Sequence, residues 1–323
     1  TINGIEEADF ILLIGSNPRY EATILNARIR KAYLQNKTKI ISLNDVGDLT
    51  YPYESLDGDI ESIKKITEDN HKISSIIKEA KKPLIIFGQS SLKIESAKYI
   101  FESVKSFLEK NNKISDDWNS LNTISENAST VGSFDLGLYK TVDGSNEVLK
   151  DLENHIFEIV YLLGVDNLKF EKKNEFIIYQ GSHGDKGAEI ADIILPGAAY
   201  TEQNGFFTNL EGKMQKAYKA SYPPEEAKED WLIINELAEA MNHRKLFNDK
   251  DELDSSLLNQ INLYIEKNKS IKSSNVENLE FKQEILKVNN EDYYYSNAIA
   301  RASKTMLECK SAKTNLKLTG TEG

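Results

Sequence analysis

The sequence predicts an α/β fold, a doubly wound parallel sheet followed by a mainly helical C-terminal extension. Three observations carry this. Short apolar runs stop at glycine or proline, as Phe10–Ile14 does before Gly15, Leu84–Phe87 before Gly88 and Ile193–Leu195 before Pro196. Helical periodicity lies between such runs. Beyond residue 243 glycine is absent until Gly320, proline is absent, and Lys, Asn and Glu dominate.

The elements follow in order. Residues 8–15 form a strand ending in glycine, and Ser16-Asn17-Pro18 is a turn. Ala22, Leu25, Ile29, Ala32 and Tyr33 then share one helix face, with Arg28, Arg30 and Lys31 in the later turns, where cations suit the dipole. Residues 39–43 are the next strand, completing a βαβ unit. Gly47, Pro52 and Gly58 make 45–59 a loop, and 60–80 reads as one helix through Ile60, Ile63, Ile66, Ile73, Ile76 and Ile77. A strand begins at Pro83, Ser90 and Ser91 cap the helix that runs to about Leu108, and 118–131 is a further helix. The strands 159–163, 176–179 and 193–195 come next. Pro223-Pro224 then introduces a helix with Trp231, Ile234, Leu237, Ala238 and Met241 on one face. This divides the chain into a lobe ending near residue 80, a second lobe over 81–243 and an extension over 244–323, disordered after about Ser311.

Composition excludes several classes. The net charge is −11, with no basic stripe of the kind nucleic-acid binding requires. The longest apolar runs are far shorter than the ~20 residues of a membrane helix, so no direct membrane insertion is expected. The opening Thr1-Ile2-Asn3-Gly4 has no initiating Met and leads quickly into a buried strand, as expected of a chain entered midway. Cys309 is the one cysteine, which allows no disulfide framework and fits a reducing compartment. Iron–sulfur clusters take about four thiolates and zinc sites four closely spaced ligands. His71, His155, His183 and His243 are scattered, so no metal and no catalytic residue is expected.

Some residues could nonetheless meet a ligand. Gly15-Ser16-Asn17-Pro18 lies between a strand and a helix N-terminus, where free amides favour phosphate; it is also what an ordinary βα turn looks like. His183 and Asp185 sit in the loop Gly181–Gly187, placed for acid–base work or for hydrogen bonds that hold the loop. Asp192 suits local pairing. Thr208 and Asn209 begin a polar turn that either faces a pterin-like ligand or is structural. Tyr293, Tyr294 and Tyr295 offer a packing or protein-contact surface.

Several stretches, in order, resemble the large iron–sulfur subunit (the G subunit) of respiratory complex I. They are GIEEADFILLIGSNPRYEATILNARIRKAYL (4–34), DLTYPYESLDGD (48–59), EAKKPLIIFG (79–88), VGSFDLGL (131–138), the block 179–215, AKEDWLIINELAE (227–239) and YYYSNAIARASKTMLEC (293–309). The last is similar to the C-terminal extension of the mitochondrial and alphaproteobacterial form. The resemblance implies Rossmann-like lobes of the molybdopterin oxidoreductase type. It also implies 2Fe-2S and 4Fe-4S clusters on a part upstream of Thr1, with none bound by this segment. Other peripheral-arm subunits of complex I are the implied partners. The implied place is the cytoplasmic face of a bacterial inner membrane or the mitochondrial matrix side. Gly15, Asn17, Pro18, Gly181, His183, Asp185, Thr208 and Asn209 would be positions of a vestigial pterin pocket. Ser182 stands where the family's loop carries histidine, and Leu163-Gly164-Val165-Asp166-Asn167 is followed by a Lys-rich stretch, not by further glycines, which weakens the case for a surviving pocket. The alternative is a fragment of a true molybdopterin-dependent oxidoreductase of the formate dehydrogenase or nitrate reductase type.

Overall fold

The strand Phe10–Ile14 (β1) is buried along its whole length. A parallel strand covered on both faces must be apolar throughout, and this one is. In the computed structural model the described residues are 1–125, 127–128, 130–138, 148–165, 168, 170–268, 275–289 and 292–318. They divide into two units, Thr1–Val131 with Thr208–Lys213 and Asn268–Glu291, and Gly132–Phe207 with Met214–Lys267 and Asp292–Gly323.

In the first unit β1 pairs in parallel with Lys39–Ser42 (β2), which pairs with the short Glu54–Ser55 (β3). On its other side β1 pairs with Pro83–Phe87 (β4), which pairs with Leu121–Thr123 (β5). The strand order is β3-β2-β1-β4-β5. Register places Leu12 beside Ile41 and Ile85. Alternate residues enter opposite cores: Phe10, Leu12 and Ile14 one, Ile11 and Leu13 the other. The short helix Pro18–Glu21 (α1) precedes Thr23–Asn36 (α2), whose Ile29 and Ala32 are buried, Ile29 in the second core, with Ala22, Leu25 and Tyr33 packed against that core, as the periodicity predicted. Glu61–Thr67 (α3) and Lys72–Glu79 (α4) cover the first core through Ile63, Ile66, Ile73 and Ile77.

The helix expected over 60–80 is therefore two. Asp69 adopts φ 64°, which stops α3, and His71 restarts the helix by accepting the Ile73 amide on Nδ1 at 3.2 Å. Ser90 and Ser91 do not cap the long helix. A one-turn helix, Gln89–Leu92 (α5), comes first, Ser91 Oγ bonds the Gly88 carbonyl, and Ala97–Lys110 (α6) starts after Ser96. Of the helix expected over 118–131, residues 118–125 are instead extended around β5, 130–131 open the helix Thr130–Asp135, and 126 and 129 lie outside the described residues. The Trp118 indole donates to the Pro83 carbonyl and the Ile85 amide to the Ser120 carbonyl, and these bonds hold the chain extended beside β4. The boundary expected near residue 80 falls inside this sheet, because β4 pairs with β1.

The helix Thr130–Asp135 (α7) spans the boundary at Val131; in the second unit Val148–Glu153 (α8) then precedes a parallel sheet of Ile159–Leu163 (β6), Phe176–Gly181 (β7) and Ile193–Pro196 (β8), in that order. One turn of helix, Lys186–Glu189 (α9), joins the last two strands. Leu162, Ile177 and Tyr179 form a small core. Gly205–Thr208 (β9) pairs with Met214–Ala217 (β10). On Asp230–Ala240 (α10) the expected apolar face is only partly covered. The buried residues are Ile233 and Asn235, whose amide binds the backbone of Leu246 and Phe247. The tail is helical in Lys250–Asn268 (α11), Ala298–Ala302 (α12) and Lys304–Leu318 (α13). Helix thus continues past Ser311, where disorder was expected, because Lys, Leu and Ala favour it. Residues 319–323 lie outside the described residues.

Ile85 is 0% exposed and Ile159 64%. Ile85→Ala should cost about 3 kcal/mol, and Ile159→Ala under ~0.5 kcal/mol, in urea unfolding of the chain.

Candidate functional site

In an open parallel sheet all strands end on the same edge, and a crevice forms where the strand order reverses. In the first unit that point lies between β1 and β4. Gly15 follows β1 with φ +61°, and a side chain there would meet Ser91 Cβ at 2.7 Å. A Cβ on Gly88, after β4, would sit 2.2 Å from the Gly15 carbonyl oxygen. Only glycines let the two loops approach this closely.

The polar groups of the loop are turned on one another. Glu21 accepts the Ser16 hydroxyl at 3.0 Å and the Asn17 amide at 3.1 Å. Asn17 Oδ1 accepts the Arg19 amide and Asn17 Nδ2 donates to the Val46 carbonyl. Pro18 opens a helix of only four residues. The place where a phosphate would meet amides therefore holds the chain's own carboxylate, which would repel it.

The second sheet's edge is likewise closed by its own side chains. Tyr179 donates its hydroxyl to the His183 carbonyl at 2.7 Å, and Gly181 and Gly187 crowd its ring so that a Cβ on either would clash with it. Ser182 Oγ lies 3.0 Å from His183 Nδ1. Asp185 caps α9 through the Lys186 amide and forms an ion pair with Arg301, which also donates to the Tyr295 carbonyl. Burial opposes the Asp185 charge, but Arg301 and the Lys186 amide outweigh it and hold the carboxyl below its ordinary value of 3.8. Asp192 pairs locally, with the Ile177 amide and with Lys172.

Thr208 and Asn209 fall in the first unit. Asn209 Oδ1 accepts the Glu211 and Lys213 amides, the geometry of a structural turn. Sequence reasoning missed a buried network in the second unit. Gln180, 0% exposed, receives the Tyr161 hydroxyl and donates to Asp230 Oδ1 at 2.8 Å, and Gln203 donates to Asp230 Oδ2 at 2.9 Å. Burial, then the Asp230 charge, pushes the Tyr161 hydroxyl pKa up. A glutamine closing an otherwise apolar strand was the one available signal.

The first unit also contains a cavity of about 310 Å³, lined by Leu25, Leu84, Ile86, Trp118 and Leu210 among others. Polar residues share its walls, and Glu211 among them is already bonded to the Ile2 amide. Among the described residues no group of three His, Cys, Asp or Glu could hold a metal ion, and Cys309 is exposed. No helix among them is long and apolar enough to cross a membrane. Of the positions the resemblance implies for a vestigial pterin pocket, Asn17 in the first unit is bonded to Glu21, and in the second unit Asp185 and the His183 carbonyl already have partners.

A carboxyl whose pKa is depressed on folding adds stability above its unfolded value, and that contribution is lost as pH falls through the folded value. The wild-type chain should therefore lose its advantage over Asp185→Asn, about 1 kcal/mol at neutral pH, as pH drops below the ordinary 3.8. Urea midpoints of both proteins down the acid range measure this, and parallel curves would contradict it.

A family model described as molybdopterin oxidoreductase matches residues 1–240. A second, described as the C-terminal part of the NADH-ubiquinone oxidoreductase G subunit, matches 263–309. The NADH-ubiquinone oxidoreductase 75 kDa subunit of Reclinomonas americana is 39% identical over 95% of this chain and 45% of its own length. The NADH-quinone oxidoreductase G subunit of Rickettsia bellii (strain RML369-C) is 37% identical over 99% of this chain and 46% of its own. The mitochondrial NADH-ubiquinone oxidoreductase 78 kDa subunit of Neurospora crassa is 37% identical over 97% of this chain and 43% of its own. The chain thus spans less than half the length of these curated relatives. It belongs to the molybdopterin oxidoreductase family, and the relatives it resembles are the G subunit of NADH-quinone oxidoreductase and the 75 and 78 kDa subunits of NADH-ubiquinone oxidoreductase.

Proposed function

We propose that this chain is the cluster-free scaffold portion of an NADH:quinone oxidoreductase large subunit. The complete subunit passes electrons from NADH toward quinone through 2Fe-2S and 4Fe-4S clusters that lie outside this chain. The scaffold portion supports that electron path and contacts neighbouring peripheral-arm subunits. Residues 244–323 add surface for those contacts, with Tyr293 76% exposed. The complex places it beside a membrane, on the cytoplasmic side in bacteria or the matrix side in mitochondria, without inserting.

The observation that carries this reading is the match to the G subunit over 263–309, beyond the segment shared with molybdopterin oxidoreductases generally. The closed carboxyl edges agree with it. One cysteine cannot supply the roughly four thiolates of a cluster. The names of the relatives favour this reading over a fragment of a formate dehydrogenase or nitrate reductase.

Elemental analysis and pterin fluorescence of the purified chain test it. Iron, molybdenum and pterin should each fall well below stoichiometric amounts. Stoichiometric molybdenum or an extractable pterin would move the chain to the cofactor-binding enzymes.

A further inference from the structure

The crevice at the β1–β4 switch point is filled by a stretch of the chain itself. Residues 279–289 cross the carboxyl edge of the first sheet, touching the loop after each of four strands. Phe281 packs on Tyr99 of α6, with ring centroids 5.0 Å apart. The Lys282 amide donates to Ser96 Oγ at 2.8 Å and its carbonyl accepts from the same hydroxyl at 2.9 Å. The Glu284 carbonyl accepts the Ile60 amide, and the Leu286 amide donates to the Gly58 carbonyl at 2.8 Å, both in the chain after β3. Asn44, after β2, donates to the Leu286 carbonyl at 2.5 Å. The Asn289 amide reaches Ser90 Oγ, after β4, at 3.0 Å.

Leu286 anchors the segment. It is 1% exposed and joins the core that contains Ile14 and Phe87. Its Cδ2 lies 3.0 Å from where a Cβ on Gly15 would stand, so it occupies the space over the end of β1. This is the space that open α/β sheets use for ligands. The pattern of bonds is that of peptide recognition, with backbone groups paired and the side chains of Phe281 and Leu286 packed on the core.

The segment has its own signature. The molybdopterin oxidoreductase match ends at residue 240, and 279–289 lies within the 263–309 matched to the G subunit. We propose that the switch-point crevice is a peptide-binding groove whose occupant is the chain's own segment 279–289, and that this occupant, together with Glu21, excludes phosphate-bearing ligands from the first sheet. The inference rests on the scaffold reading only in taking this edge to be free of pterin. Pterin in the purified chain would overturn that reading, whereas occupancy by the segment is decided separately by its own amide exchange.

Amide hydrogen exchange on the full chain tests occupancy. The amides of Ile60, Leu286 and Asn289 should exchange at least about 100-fold slower than open chain, together with those of β1. Open-chain exchange at Leu286 and Asn289, while Leu12 stays protected, would overturn the proposal. A labelled synthetic peptide of residues 279–289 tests the groove. It should bind the full-length Leu286→Asp variant at least about tenfold more tightly than wild type, whose groove is filled. Equal binding to the two would overturn it. If Leu286→Asp does not fold, exchange in the wild type decides. Equilibrium dialysis with ADP tests exclusion: the wild-type chain should retain none at millimolar nucleotide, and stoichiometric retention with the segment still protected would refute it.

Discussion

The parallel pairing of Phe10–Ile14 between Lys39–Ser42 and Pro83–Phe87 is the constraint on which the first unit depends. A central strand buried on both faces can satisfy its backbone donors and acceptors only through its neighbours. Those neighbours must be in register, and Leu12 beside both Ile41 and Ile85 shows that they are. Two separate cores follow from the strand's alternation, and the helices on each side are amphipathic because each faces only one of them. The same parallel direction brings every strand end, and every following loop, to one edge.

At that edge the sheet has little room. Gly15 and Gly88 lie so close that any side chain on Gly88 would strike the preceding loop. Glu21 takes the donors of that loop, and Leu286 takes the apolar space above it. The second sheet reaches the same result by other means: Tyr179 fills its own glycine loop, and Asp185 is tied to Arg301. An edge that receives a ligand keeps polar groups turned toward it. At these two edges the loop groups of Ser16, Asn17, Tyr179 and Asp185 are satisfied from within, while Asn44 Oδ1 and Glu284 Oε1 at the first edge are buried without a partner among the described residues.

Much of the fold was legible because its strands are short, apolar and stopped by glycine or proline. The face of Thr23–Asn36 was legible from its spacing. The break at Asp69 was not, since a left-handed aspartate looks like any other helix-surface residue in the sequence. Nor was Leu121–Thr123, which is extended because Trp118 and Ser120 bond to β4. Buried polar residues were the most hidden. Asn26 donates to the Leu49 carbonyl and accepts the Tyr51 hydroxyl, and Gln180 and Asn235 serve similarly, yet each reads as a surface residue until its partner is known.

The sequence by itself determined the α/β class, the first βαβ unit, the lone thiol and the family resemblance, because these depend on local pattern and composition. It also put Gly15, Asn17, Pro18, His183 and Asp185 in loops following strands. Only the tertiary structure decided what those loops do. Glu21 lies near its partners in sequence, but Arg301 and Leu286 come from far along the chain. Whether a loop is open to a ligand depends on such distant groups, and periodicity over a few residues carries no trace of them.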